Sequence, residues 1–413
     1  MVDRQHLLAD FKRLLRDMEV DLRARCDEVA QINADLMKEY EQARAANRAG
    51  ITFEEWRADL ITQVAVAWVL SSVFVRFLED NALISPPRIS GLLHGAGDGQ
   101  GLTRARDERD VFFRAHPKQT DRDYLLAVFD NLAKLPGTKD VFGPHNPVSP
   151  YRNWLSGDAA QKLIESFQKI DVDGAGELIH DFTDPDWDTR FLGDLYQDLS
   201  EAARKKYALL QTPIFVEEFI LDRTLEPAIN EFGLKHLKMI DPACGSGHFL
   251  LGGFARILHH WRKEEPGTNE RELVNRALAS VHGVDLNPYA VAIARFRLLL
   301  AAMKECQVTR LKDVPNFQFN LACGDSLLHG SVSAQQQVMG FHELAHHYQS
   351  EDIGELRRIL KGGQYHAVVA NPPYITVKDQ ALNQAYRDRY PSVCYRAYSL
   401  AVPFMQRLFD LAC

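Results

Sequence analysis

The sequence predicts an α/β protein, with a parallel, doubly wound sheet in its second half behind a mostly α-helical N-terminal region. Three observations carry this expectation. From about residue 185, short apolar runs alternate with helical stretches, the pattern of parallel strands joined by crossover helices. Before that point, apolar residues either recur at helical spacing or are interrupted by turn formers. After the apolar runs come Asp, Gly and Pro at strand ends, where open α/β sheets hold their ligands.

The elements follow in order. Phe11, Leu14, Leu15, Met18 and Leu22 lie at helical spacing, so residues from about 5 to 48 read as helix. Thr52-Phe53-Glu54-Glu55 has the form of a capping box and starts a helix to about Asn81. Pro86 and Pro87 forbid its continuation. Residues 85–150 are loop-rich, with short helices such as 123–135. Their Gly-rich piece at 94–101 follows no strand, and 171–177 lacks the ligand set of a calcium loop. A helix is expected over 198–210, and another from Pro213 to about 230. Strands are expected at 237–241, 281–285, 317–322 and 365–370. Helices at 247–264, 270–280, 289–304 and about 352–361 lie between them, and a last helix begins near Tyr398. Two regions result: 1–184, helical, and 185–413, the α/β part.

Composition narrows the function. The chain has 413 residues, 46% hydrophobic and 25% charged, a globular profile too long for one ordinary domain. A net charge of −8 excludes a uniformly basic nucleic-acid coat, while leaving room for a local basic groove. The six cysteines form no C-x-x-C pair, so neither a zinc site nor a disulfide framework is signalled, and no metal is expected. The N-terminus lacks a signal-peptide pattern, and Leu60–Val75 is too short and too interrupted for a bilayer span. A buried core helix, a cytoplasmic protein and no membrane partner are the expectations.

The strand ends hold the chemistry. Asp241-Pro242-Ala243-Cys244-Gly245-Ser246-Gly247 follows the first strand and opens a helix. Its glycines allow a tight turn, and the helix N-terminus offers free N–H groups. It has neither the Lys of a nucleotide phosphate loop nor the third glycine of a dinucleotide fingerprint. The second strand ends in Asp285, a carboxylate placed either to accept ribose hydroxyls or to cap the next helix. Cys323-Gly324-Asp325-Ser326-Leu327 follows the third strand, and Asn371-Pro372-Pro373-Tyr374 the fourth. The neighbouring histidines 259/260 and 346/347 point about 100° apart on a helix, which is not chelating geometry.

The motif at 241–247 resembles motif I of the amino-group DNA methyltransferases that use S-adenosylmethionine, and the motif at 371–374 resembles their catalytic motif. The resemblance implies a Rossmann-like S-adenosylmethionine-dependent sheet. In it, Asp241 and the turn with Ala243, Gly245 and Gly247 would hold the methionine part of the cofactor. Asp285 would take the ribose, Asp325 the adenine amino group, and Leu327 would pack on that ring. Thr212-Pro213 resembles the segment that closes over the cofactor; an ordinary Thr-capped helix start is the competing reading. Tyr207 could assist. Asn371 would border both cofactor and substrate.

The catalytic residue types suit one problem. An adenine amino group is a poor nucleophile because its lone pair is delocalised into the ring. The Asn371 side-chain oxygen and the Pro372 carbonyl, held by proline's fixed φ, would accept its two N–H groups and aim the lone pair. Pro373 belongs to the same catalytic motif. Tyr374 would stack on an adenine flipped out of double-stranded DNA.

Motif order resembles the gamma-type N6-adenine enzymes. The segments 191–197 and 204–213 resemble the BREX phage-defence methyltransferases of the PglX group, whose members continue into a target-recognition domain. A chain incomplete at its C-terminus, with an exposed fourth-strand edge, and other phage-defence proteins as partners are therefore expected. At the start of the last helix, Ser399 stands where that family often has an acid. Competing expectations are a non-catalytic S-adenosylmethionine-binding scaffold, a combined restriction–methylation enzyme, and a protein or RNA methyltransferase. For a restriction enzyme, no nuclease-type acidic cluster is found in 1–185.

Overall fold

The computed structural model describes residues 4–45, 49–92, 100–171, 177–199, 212–330 and 352–413. The Gly-rich piece at 94–99, the core of the calcium-like loop at 172–176, the helix expected over 198–210 beyond its first two residues, Tyr207 and the His346-His347 pair lie outside them. The chain separates into two compact units. One holds residues 1–34, 58–201 and 307–316; the other holds 35–57, 202–306 and 317–413.

The first unit is helical. The expected N-terminal helix is two, α1 (Arg4–Glu28), which belongs to this unit, and α2 (Ala30–Ala45), which from residue 35 belongs to the second. Asn33 Nδ2 donates to the Cys26 carbonyl at 3.2 Å, a bond to backbone that competes with the helix at the break. Helix α3 (Phe53–Asp80) starts at the Thr52/Glu55 capping box, with the Glu55 N–H donating to Thr52 Oγ1 at 3.3 Å and the Thr52 N–H to Glu55 Oε2 at 3.1 Å. By length and composition α3 could cross a membrane, but 78% of its most apolar window is buried, as in a core helix.

At its end, buried Arg76 pairs with Asp80 at 2.6 Å and Glu79 at 3.2 Å. Glu79 also accepts the N–H groups of Arg88, Ile89, Ser90 and Gly91, fixing the turn-rich segment to the core. That segment is more helical than expected: α4 (Gly101–Ala115), α5 (Asp121–Ala133) and α6 (Lys139–Phe142), followed by α7 (Gly157–Phe167) and α8 (Arg190–Leu199). Residues 307–316 complete the unit, and the Leu311 N–H donates to the Leu83 carbonyl at 2.8 Å.

The second unit is built on a parallel sheet of order β3-β2-β1-β4, from β1 (Met239–Asp241), β2 (Val281–Asp285), β3 (Asn320–Cys323) and β4 (Ala367–Val368). Met239 pairs with Val281 on one side and Ala367 on the other, and Asp285 pairs with Cys323. Helices α9 (Ile214–Phe232), α10 (His248–Glu264), α11 (Glu270–Ser280), α12 (Pro288–Glu305) and α13 (Ile353–Ile359) alternate with the strands. Ile240, Val284 and Ala322 from three strands meet Leu356, Ile359, Leu360 and Leu411 in one apolar cluster.

Helix α14 (Gln380–Arg389) was not expected from sequence, and α15 (Ala401–Leu411) ends the chain. The outer side of the fourth strand is not bare at its start, because Ala412 bridges Tyr365 in parallel and the Cys413 N–H donates to the Tyr365 carbonyl at 3.0 Å. Residues 35–57 join this unit partly through the Gly50 N–H, which donates to Asp379 Oδ2 at 2.6 Å.

Candidate cofactor and catalytic site

Because all four strands run parallel, the four motifs leave the same edge of the sheet. Hydrogen bonds tie three of them together. The Gly245 N–H donates to Asp285 Oδ2 at 2.8 Å, and the Cys244 N–H to the Val284 carbonyl at 3.0 Å. The Gly324 N–H reaches the Asp285 carbonyl at 2.9 Å, and Ser326 Oγ the Pro242 carbonyl at 2.7 Å.

The first loop is an open cradle. Gly245 (φ +52°) and Gly247 (φ +86°) are left-handed, a backbone that other residues adopt only at a cost. A Cβ at Gly245 would meet nothing within 4 Å, so this turn faces free space. At Gly247 it would come within 3.0 Å of the Ala294 Cβ, so that glycine serves close packing of α10 on α12. Arg297 of α12, buried, donates to the Ser246 carbonyl at 2.7 Å and holds the turn from behind. Ala243 is half-buried at the rim of a neighbouring apolar cluster.

Two carboxylates border this cradle. Asp241 is 1% exposed and accepts the Ala243 N–H at 3.0 Å. Burial, with the Asp285 charge adding to it, pushes its carboxyl up to about 8. Asp285 is half-buried, accepts the N–H groups of Asn287 and Gly245 at 2.8 Å each, and is likewise raised by burial. It is not the cap of α12; Asn287 is, accepting the Tyr289 N–H at 3.0 Å. A pair of desolvated carboxylates disfavours a second negative charge and favours a cationic or hydroxyl-bearing ligand. A zwitterionic nucleoside with a sulfonium fits those acceptors and the free space at Gly245.

Asp325 lies beyond the third strand, 5% exposed. It accepts the Leu327 and Leu328 N–H groups at 2.8 and 3.0 Å, and the Tyr386 hydroxyl at 2.7 Å. Leu327 is buried with Tyr386, Tyr390, Cys394, Tyr398, Leu400 and Phe404. Arg407 of α15 anchors the same loop, donating to the Ser326, His329 and Leu360 carbonyls at 3.0, 3.2 and 2.7 Å.

Asn371 follows β4 closely. Its Nδ2 donates to Thr212 Oγ1 at 3.3 Å. With that end of the amide committed, Oδ1 is presented as an acceptor. Thr212 is therefore not the cap of α9. Pro213 is, without a side-chain bond, and its carbonyl takes the Val216 and Glu217 N–H groups at 3.0 Å. Pro372 is buried, Pro373 half-buried, and Tyr374 is 66% exposed. Just after Pro213 in sequence, Ile214, Phe215 and Phe219 of α9 are exposed as well.

Sequence reasoning missed Tyr386, Arg297 and Arg407. Each acts on a loop far away in the chain, and no local signal marks such a contact. Of the described pair, His260 bonds Glu226 at 2.9 Å. Ser399 sits two residues ahead of α15, and its carbonyl accepts the Val402 N–H at 3.0 Å.

Residues 279–413 match the Eco57I restriction-modification methylase family. The adenine-specific methyltransferase PglX of Streptomyces coelicolor is 48% identical over 100% of this chain and 34% of its own length. The chain thus spans about a third of that relative. Among solved structures, the DrdV–DNA complex matches 98% of this chain and 34% of its own, with a TM-score of 0.50 at 12% identity, a likeness of fold alone. A nuclease-deletion mutant of the Type ISP restriction-modification enzyme LlaGI, bound to a DNA substrate mimic, matches 98% and 29%, at 14% identity and a TM-score of 0.48. Along its whole length the chain is thus similar to part of an adenine-specific methyltransferase, and its residues 279–413 are similar to the Eco57I restriction-modification methylases.

Proposed function

We propose that this chain binds S-adenosylmethionine at the edge of a Rossmann-like sheet and methylates the N6 amino group of adenine in DNA, within a phage-defence or restriction–modification system. The bond from Asn371 to Thr212 carries the reading. It fixes the amide so that its oxygen, beside the exposed Tyr374, can take an N–H of a planar amino group. β4 is the neighbour of β1, so this strip borders the glycine cradle. S-adenosylmethionine supplies an electrophilic methyl group bound to a sulfonium.

The residues of the chain do the rest. Asp241 and the 243–247 turn receive the methionine part, Asp285 the ribose and Asp325 the adenine amino group. Thr212 and Pro213 border that cofactor site on the Asn371 side. Asn371 Oδ1 and the Pro372 carbonyl take the two N–H groups of the target adenine, which localises the nitrogen lone pair and aims it. Preorganised acceptors of this kind stabilise the transition state without reorganising during reaction. Tyr374 offers a flat face to a base flipped from double-stranded DNA. Residues 202–306 and 317–413, together with 35–57, would make up the methyltransferase part. Homology to an adenine-specific methyltransferase disfavours a non-catalytic scaffold.

The test incubates the chain with methyl-labelled S-adenosylmethionine and a mixture of unmethylated DNA, tRNA and cell protein. Label recovered as N6-methyladenine in DNA, lost in Asn371→Ala while S-adenosylhomocysteine binding persists, is the expected result. Label confined to RNA or protein would overturn the substrate assignment.

A further inference from the structure

Tyr386 stands outside every motif, yet it reaches the candidate site. It lies on α14, twelve residues beyond Tyr374, and is 2% exposed. Its hydroxyl donates to Asp325 Oδ2 at 2.7 Å across 61 residues of sequence. One turn later, the Tyr390 hydroxyl donates to the Leu327 carbonyl at 2.8 Å. The helix after the catalytic strip thus grips both the side chain and the backbone of the loop after β3.

We infer that Tyr386 is a positioning residue that makes Asp325 selective for an amino-bearing purine in the cofactor, an inference that rests on the cofactor reading above. An ionised carboxylate accepts only, at about four lone-pair positions. Asp325 Oδ1 takes two backbone N–H groups, and Oδ2 takes the Tyr386 hydroxyl. One position on Oδ2 is left. Because Tyr386 holds that oxygen from one side, the remaining lone pair has a fixed direction and suits a single N–H donor. The amino group of adenine is such a donor. A 6-oxo purine presents an acceptor there and meets the carboxylate lone pair to lone pair. Without the hydroxyl, the carboxylate is held through Oδ1 alone, and the direction of Oδ2 loosens.

The experiment measures binding of S-adenosylhomocysteine and its 6-oxo counterpart, S-inosylhomocysteine, by calorimetry on the full chain. The wild type should prefer the adenosyl compound. Tyr386→Phe should weaken the adenosyl compound about tenfold, the effect of losing one bond to a charged group. The inosyl compound should hold within about twofold, the ordinary scatter of independent substitutions. Asp325→Asn should remove the preference, and adding Tyr386→Phe to it should change the ratio no further.

A Tyr386→Phe protein with the wild-type ratio, or one that weakens both compounds equally, overturns the inference and leaves Tyr386 a packing residue. Wild-type chain that binds neither compound overturns the cofactor reading itself, and this inference with it. Asp325→Asn alone keeps the test decisive if Tyr386→Phe is poorly folded, since a preference for the adenosyl compound that survives it refutes the role given to that carboxylate and to the tyrosine that holds it.

Discussion

Replacing Gly245 by Ala separates the cradle's role in binding from its role in folding. At φ +52° an Ala pays the left-handed penalty, roughly 1–2 kcal/mol. Removing a glycine from the unfolded chain returns about 0.4–1 kcal/mol. The new methyl meets no protein atom within 4 Å, so no packing penalty is added. The net loss of stability is therefore about 1 kcal/mol, read from urea unfolding. The same methyl enters the space assigned to the cofactor, so the affinity for S-adenosylhomocysteine should fall by about tenfold or more, the cost of about 1.4 kcal/mol of lost contact. Gly247→Ala gives the contrast. Its methyl would lie 3.0 Å from the Ala294 Cβ, so it should lose stability first, by about 2–4 kcal/mol from strain and overpacking together. Unchanged affinity in a stably folded Gly245→Ala protein would refute the placement of the ligand at that turn.

Two further expectations concern stability. Asp241 titrates near 8 in the folded chain against an ordinary value of 3.8, so between those values the folded state holds a proton that the unfolded chain has released. Stability should fall as pH rises through that window, and Asp241→Asn should raise the unfolding midpoint at pH 8 but not at pH 3.5; an equal shift at both would refute the assignment. Arg407→Met should cost about 3–5 kcal/mol, because three carbonyls lose a buried donor; a loss under about 1 kcal/mol in urea unfolding would show that water replaces the guanidinium.

Much of the sheet was legible because parallel strands and their crossover helices leave a repeating local pattern. The strand at 281–285 was read to the residue, and α10 to α12 to within one or two residues. The first and fourth strands are shorter than their apolar runs. Regular pairing of the fourth covers only Ala367 and Val368, the last bond back to β1 comes from the Val369 N–H to Ile240, and from three residues later the prolines have no N–H to give. The candidate site residues came from motif resemblance, and their local placement at strand ends follows from chain direction.

What held them in place was not legible. The Thr212–Asn371 bond spans 159 residues, and the Gly50–Asp379 bond 329. Arg297 sits in a helix buried on nearly every face and Arg407 in an amphipathic one; an arginine ordinarily reads as solvent-facing, yet both are buried and held by distant carbonyls. Helix α14 was missed because QALNQAYRDR carries one buried apolar residue and no periodic stripe.

The interleaving of the two units has a consequence for biosynthesis. The helical unit closes only when Leu311 can bond Leu83, so most of its chain leaves the ribosome well before its last segment does. The sheet unit, conversely, must keep residues 35–57 in reserve until Asp379 emerges. Domains usually fold one after another during translation; here each nascent unit waits on the other's stretch of message. Slowing elongation after residue 316 should therefore favour the helical unit without completing the sheet unit, and a fragment begun at 185 would lack a segment that the sheet unit takes from the far N-terminus.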